Sequence, residues 1–89
     1  MADYGLAVSD LSPTQLRAHG TSAGIFVEDV RGAADRAGLR RGDVIEQINN
    51  EDASTAASFN ALLTTLDPRR AVSLLVRRDN LSRYIILRL

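Results

Sequence analysis

Apolar and polar residues follow two different periods along this chain, and the switches between them divide it into short elements. Gly5-Leu6-Ala7-Val8 is a small-and-apolar run leading into Ser9-Asp10-Leu11, which predicts a strand over 6–10. Ser12 can cap a helix, Pro13 suits its first position, and Gln15 three residues on completes a capping box, so 13–19 reads as a short helix stopped by Gly20. From Ala23 to Val30 the pattern is that of a strand, with Ile25 and Val27 on one face, Phe26 on the other, and Gly32 as the breaker. Ala33 to Ala37 forms one helical turn closed by Gly38. A turn over 40–43 then leads into a strand over 44–48, and 49–52 is a polar connection. Ser54 or Thr55 caps the one long helix, 55–66, whose Phe59, Leu62, Leu63 and Leu66 fall on one stripe before Asp67-Pro68 ends it. Residues 71–77 and 83–89 alternate as strands joined by a tight polar turn over 78–81. This order predicts an α+β fold, mainly β. The economical packing is a small antiparallel β-sandwich or partial barrel of five or six strands, capped by one long and one or two short helices.

With 89 residues the chain is one small domain, and a catalytic body with its own cleft and lid is excluded. A 45% apolar share with balanced charge excludes a disordered chain. All 11 basic residues are arginine, which points to a GC-rich coding sequence rather than to chemistry. Formal charge is zero and the arginines are scattered in pairs (Arg40-Arg41, Arg69-Arg70, Arg77-Arg78), so no clustered positive face for nucleic acid is expected. The absence of cysteine removes disulfides and thiolate chemistry together. No stretch approaches the roughly 20 apolar residues of a membrane span. No signal-peptide pattern precedes the first strand, and Met1-Ala2-Asp3 reads as the start of an excised fragment. The single His19 sits beside Thr21 and Ser22, too close in sequence for a working triad with Asp10, and reads as an exposed helix-end imidazole. The carboxylates Asp3, Asp10, Glu28, Asp29, Asp43, Glu51 and Asp52 lack calcium-loop spacing, so neither a catalytic group, a metal nor a cofactor is expected.

Binding is more legible. In Gly5-Leu6-Ala7-Val8, Gly5 can take positive φ and Ala7 is nearly as slim, so successive backbone N–H groups can converge into an anion-binding nest. A nest opening a strand offers a seat for a chain-terminal carboxylate and an edge for an extended peptide. The same four residues read equally well as an ordinary strand start.

The segment Ala37-Gly38-Leu39-Arg40-Arg41-Gly42-Asp43-Val44-Ile45-Glu46-Gln47-Ile48-Asn49 resembles the AGL-x-x-GDVI-x-x-IN core of PDZ domains. Gly5-Leu6-Ala7-Val8 resembles the family's Gly-Leu-Gly-Phe carboxylate loop, with Ala7 and Val8 replacing Gly and Phe. Because that loop opens the chain and Tyr84 to Leu89 closes it, the order resembles the circularly permuted bacterial PDZ type. Arg77-Arg78-Asp79-Asn80-Leu81-Ser82-Arg83-Tyr84 is similar to the ending of the C-terminal PDZ domain in periplasmic HtrA/DegP (Do-like) serine proteases. Arg78 stands at that ending's hairpin glycine, and Asn50 where many members carry glycine.

The resemblance implies a PDZ domain over 5–89, with 1–4 as leading residues. It implies a non-catalytic module of a periplasmic, trypsin-like endopeptidase that binds unfolded or C-terminal peptide segments. The N–H groups of Leu6, Ala7 and Val8, following Gly5, would receive the carboxylate, and Val8, Ser9, Asp10 and Leu11 would pair with the peptide. Ser58, Leu62 and Thr65 would form the opposite wall, with Leu6, Val8 and Leu62 selecting an apolar last residue. Two alternatives stand beside it. One is an assembly domain whose groove is occluded, with the short helix after the first strand as the cover, and which docks neighbouring PDZ domains. The other is a PDZ domain of a different bacterial protease or secretion component.

Overall fold

The computed structural model describes residues 4–18, 24–67 and 69–88. His19, Gly20, Thr21, Ser22, Ala23, Pro68 and Leu89, which carry parts of the expectations above, lie outside the described residues. Chain order is β1 (Leu6–Asp10), α1 (Pro13–Ala18), β2 (Ile25–Val30), α2 (Gly32–Ala37), β3 (Val44–Ile48), β4 (Glu51–Asp52), α3 (Ala56–Thr65), β5 (Val72–Arg78) and β6 (Leu81–Leu87). The strands form one open antiparallel sheet in the order β1-β2-β3-β5-β6, with the two-residue β4 beside β3. The α+β, mainly β expectation holds, and so does its count of strands and helices. The polar connection expected over 49–52 contains β4, whose Glu51 and Asp52 pair with Ile48 and Gln47.

Local rules account for the boundaries. At α1, Ser12 N–H donates to Gln15 Oε1 at 2.9 Å and Gln15 N–H to Ser12 Oγ at 3.1 Å, a reciprocal capping box. Thr55 caps α3, its Oγ1 accepting from Ser58 N–H at 3.1 Å. Gly38 ends α2 in the left-handed region at φ 99°. At the last hairpin the turn is Asp79-Asn80, with φ of 52° and 65°. These are the left-handed pairs that match the twist of the flanking strands. Arg78 is therefore not the turn residue: it ends β5, paired with Leu81, and needs no glycine. Asn50, at φ 67°, meets the same requirement without one.

The core lies on one face of the sheet. Ile25, Val27, Ile45, Leu74, Val76 and Leu87 are fully buried there, and Phe59 of α3 closes over them. Tyr4, among the leading residues of the sequence reading, is also buried at 3% exposure.

A charged pair fastens the turn before β3 to the last hairpin. Asp43, 3% exposed at its side chain, accepts from Arg78 Nε at 2.7 Å and from its NH2 nitrogen at 2.5 Å. It also accepts from Arg40 N–H at 3.0 Å. The hydrogen bonds from Arg78 to Asp43 raise the guanidinium further above its ordinary value, against the smaller opposing effect of burial. A raised basic group stabilises the fold at every pH below its unfolded value, so the contribution of Arg78 is constant across the neutral range. Asp43→Asn should leave a mostly buried arginine without its counter-charge and cost about 2–4 kcal/mol, measured by urea unfolding at neutral pH. A loss below about 1 kcal/mol would show the pair to be no more than a surface contact.

Candidate functional site

β1 forms one edge of the sheet. Its inner side pairs with β2, from Leu6 opposite Val30 to Asp10 opposite Ile25, with a bulge between Ala7 and Val8. No described strand pairs with its outer side. The element that packs along β1 is α3; α1, the expected cover, has no buried residue and makes no comparable contact. A groove therefore runs between an unpaired strand edge and a helix.

The start of the groove is held by backbone contacts. Gly5 has φ 77°, where a side chain is strained, and its carbonyl accepts from Arg31 N–H at 2.9 Å. Tyr4 carbonyl accepts from Ala34 N–H at 2.9 Å. These two bonds hold the loop before β1 to the end of β2 and the first turn of α2. A hollow of about 200 Å³ opens at this point, lined by Gly5, Leu6, Ala7, Asp29 and Arg31. Arg31 carries no sequence signal of its own; only the antiparallel return of β2 beside the loop places it there.

The expected site residues fall into three groups. Leu6 and Val8 of β1 and Leu62 of α3 are partly buried against the core, while Ala7 is exposed. Ser9 and Asp10 are committed to side-chain bonds: Ser9 Oγ donates to Glu28 Oε1 at 2.6 Å, and Asp10 Oδ1 accepts from Ala56 N–H at 2.7 Å. Leu11 follows the end of β1 and is half-buried. On the helix, Ser58 Oγ donates to Thr55 O at 3.1 Å and Thr65 Oγ1 to Leu62 O at 2.8 Å. Both hydroxyls thus turn back onto their own helix. Leu62 is the apolar element of that wall.

The sequence profile of the PDZ domain family matches residues 23–78. This chain belongs to the PDZ domain family. Over 96% of its length the domain is 34% identical to a probable periplasmic DegP-like serine endoprotease of Pseudomonas putida strain W619, spanning 18% of that relative. A DegP-like relative from Hahella chejuensis is 32% identical over 94% of the chain, again across 18% of the relative. Among solved structures, the HtrA-type protease AlgW with a decapeptide superposes at a TM-score of 0.84 and 29% identity, covering 97% of this chain and 28% of AlgW. AlgW with a tripeptide gives 0.84 and 28%, covering 94% and 29%. The HtrA3 PDZ domain bound to a phage-derived ligand shares the fold at 0.81, with 22% identity over 94% of this chain and 80% of that one. The domain is thus a PDZ domain similar to those of HtrA-type proteases. It corresponds to under a fifth of the curated relatives' length.

The tightest constraint at the site is steric. A Cβ on Gly5 would stand 1.8 Å from Arg31 O and 2.7 Å from Arg31 C. Gly5→Ala should therefore displace the loop and lower stability by about 2 kcal/mol or more, with amide shifts concentrated at residues 4–8 and 30–34 in a two-dimensional NMR spectrum. An unshifted spectrum would show that the loop is not held as described.

Proposed function

We propose that this PDZ domain binds unfolded or C-terminal peptide segments by strand addition to β1, within a larger periplasmic serine protease of the HtrA/DegP type. The observation that carries the proposal is the pairing of an open strand edge with a helix alongside it and a positive-φ glycine loop at its start. In this reading the domain is the recognition module, residues 5–89, and proteolysis belongs to the rest of the parent chain. Peptides in the AlgW structures support the reading by likeness, and the periplasmic label of the DegP-like relatives supports the location.

The N–H groups of Leu6, Ala7 and Val8 receive the terminal carboxylate, in a hollow whose rim carries both a cation, Arg31, and a carboxylate, Asp29. Backbone groups of β1 from Val8 to Asp10 pair with the ligand, with Leu11 beyond the strand end. Leu6, Val8 and Leu62 take an apolar last side chain. Ser58 and Thr65 line the wall but have their hydroxyls engaged, so polar selection along the helix is weak. No cofactor or metal enters this chemistry.

A second reading, docking of neighbouring PDZ domains, draws on the opposite edge. There Leu81, Tyr84 and Ile86 of β6 are 64%, 62% and 50% exposed. The two readings use opposite ends of the sheet, so one titration separates them. A peptide with a free carboxylate and an apolar last residue should shift the amides of Leu6, Ala7, Val8 and Leu62, and its amidated twin should bind about tenfold or more weakly. Replacing Ala7 by isoleucine should abolish binding while the fold persists. Equal affinity of the two peptides would sink carboxylate capture, and shifts confined to β6 on adding a second PDZ domain would favour assembly.

A further inference from the structure

One hydrogen bond joins the two walls of the groove at the end away from the loop. Asp10, the last residue of β1, accepts from the backbone N–H of Ala56, the first residue of α3, at 2.7 Å. A carboxylate oxygen lies within about 4 Å of its own Cα. The Asp10 Cα is therefore within about 7 Å of the Ala56 nitrogen. An extended chain placed there would lie about 4.8 Å from β1 and would need the helix backbone about 5 Å beyond it. With the bond in place the walls are too close for a chain to pass between them.

The other end of the groove is the loop at Gly5. From Ala7 to Asp10 a strand rises by about 10 Å, room for roughly three ligand residues. We infer that the Asp10–Ala56 hydrogen bond is a bolt that sets ligand length. Closed, it admits the last three or so residues of a chain end; a longer extended ligand has to break it. The inference rests on the peptide-recognition reading. Opening leaves α3 intact, because Thr55 keeps its own cap on Ser58 N–H. The cost of opening is then the one bond, and it falls on long ligands alone.

The bolt can be removed from either partner. Ala56→Pro deletes the donor at the first helical position, where proline is accepted. Thr55 before it is already extended, at φ −136° and ψ 152°, as a residue preceding proline requires. Asp10→Ala deletes the acceptor, and Asp10→Asn keeps an acceptor oxygen. A tripeptide and a decapeptide sharing their last three residues, both with free carboxylates, are titrated against the four proteins by calorimetry. Ala56→Pro and Asp10→Ala should each raise the decapeptide-to-tripeptide affinity ratio by about three- to tenfold, and Asp10→Asn should move it less. Decapeptide binding by the two bolt-free variants but not by the unaltered domain would support the bolt most strongly. An unchanged ratio in both, with the tripeptide still bound, overturns the bolt and leaves peptide recognition standing. If none of the four proteins binds either peptide, both readings fall together.

Discussion

Everything on the groove side of this domain depends on the close approach of Gly5 to Arg31. The Gly5 carbonyl takes the Arg31 N–H, and a Cβ at Gly5 would overlap the Arg31 carbonyl. This contact fastens the start of β1 to the point where β2 gives way to α2. The neighbouring bond from Ala34 N–H to Tyr4 O continues the same seam. Because β1 is an edge strand, it has one neighbouring strand to hold it, and the bulge after Ala7 interrupts even that ladder. The seam at Gly5 supplies the fixity that a central strand would get from a second neighbour.

Charge is used for architecture more than for recognition. Asp43 gathers Arg78 and the Arg40 amide, and so couples the turn before β3 to the β5–β6 hairpin across 35 residues of chain. On the surface, Asp29 lies 3.4 Å from Arg41 and Asp67 lies 3.2 Å from Arg69, each at low energetic value in water. Two of the three arginine pairs that stand out in the sequence, Arg40-Arg41 and Arg77-Arg78, line one hollow together with the carboxylates of Asp43 and Asp79.

Along the groove the polar side chains are already satisfied at home. Ser58 and Thr65 bond to their own helix and Ser9 bonds to Glu28. In the proposed reading, what remains for a ligand is backbone pairing, a carboxylate seat and apolar contact with Leu6, Val8 and Leu62, which are only partly buried. Under the proposed reading, those terms depend little on ligand sequence.

Much of the architecture was legible in the chain itself, because its signals are local. The capping box at Ser12 and Gln15, the cap at Thr55, the left-handed end at Gly38 and the alternation in β2, β3 and β5 each depend on residues a few positions apart. Gly5 was legible as a positive-φ position for the same reason. The hairpin turn expected over 78–81 is the one found, closed by Arg78 paired with Leu81, while β6 begins two residues before the expected strand because only register sets that boundary. Three features belong to tertiary structure alone: Arg31 beside the loop, Tyr4 in the core, and Asp10 bonded to a helix 46 residues away. Each depends on which strand returns beside which. That is settled by how one apolar face is buried by the whole sheet, and no window of a few residues contains it.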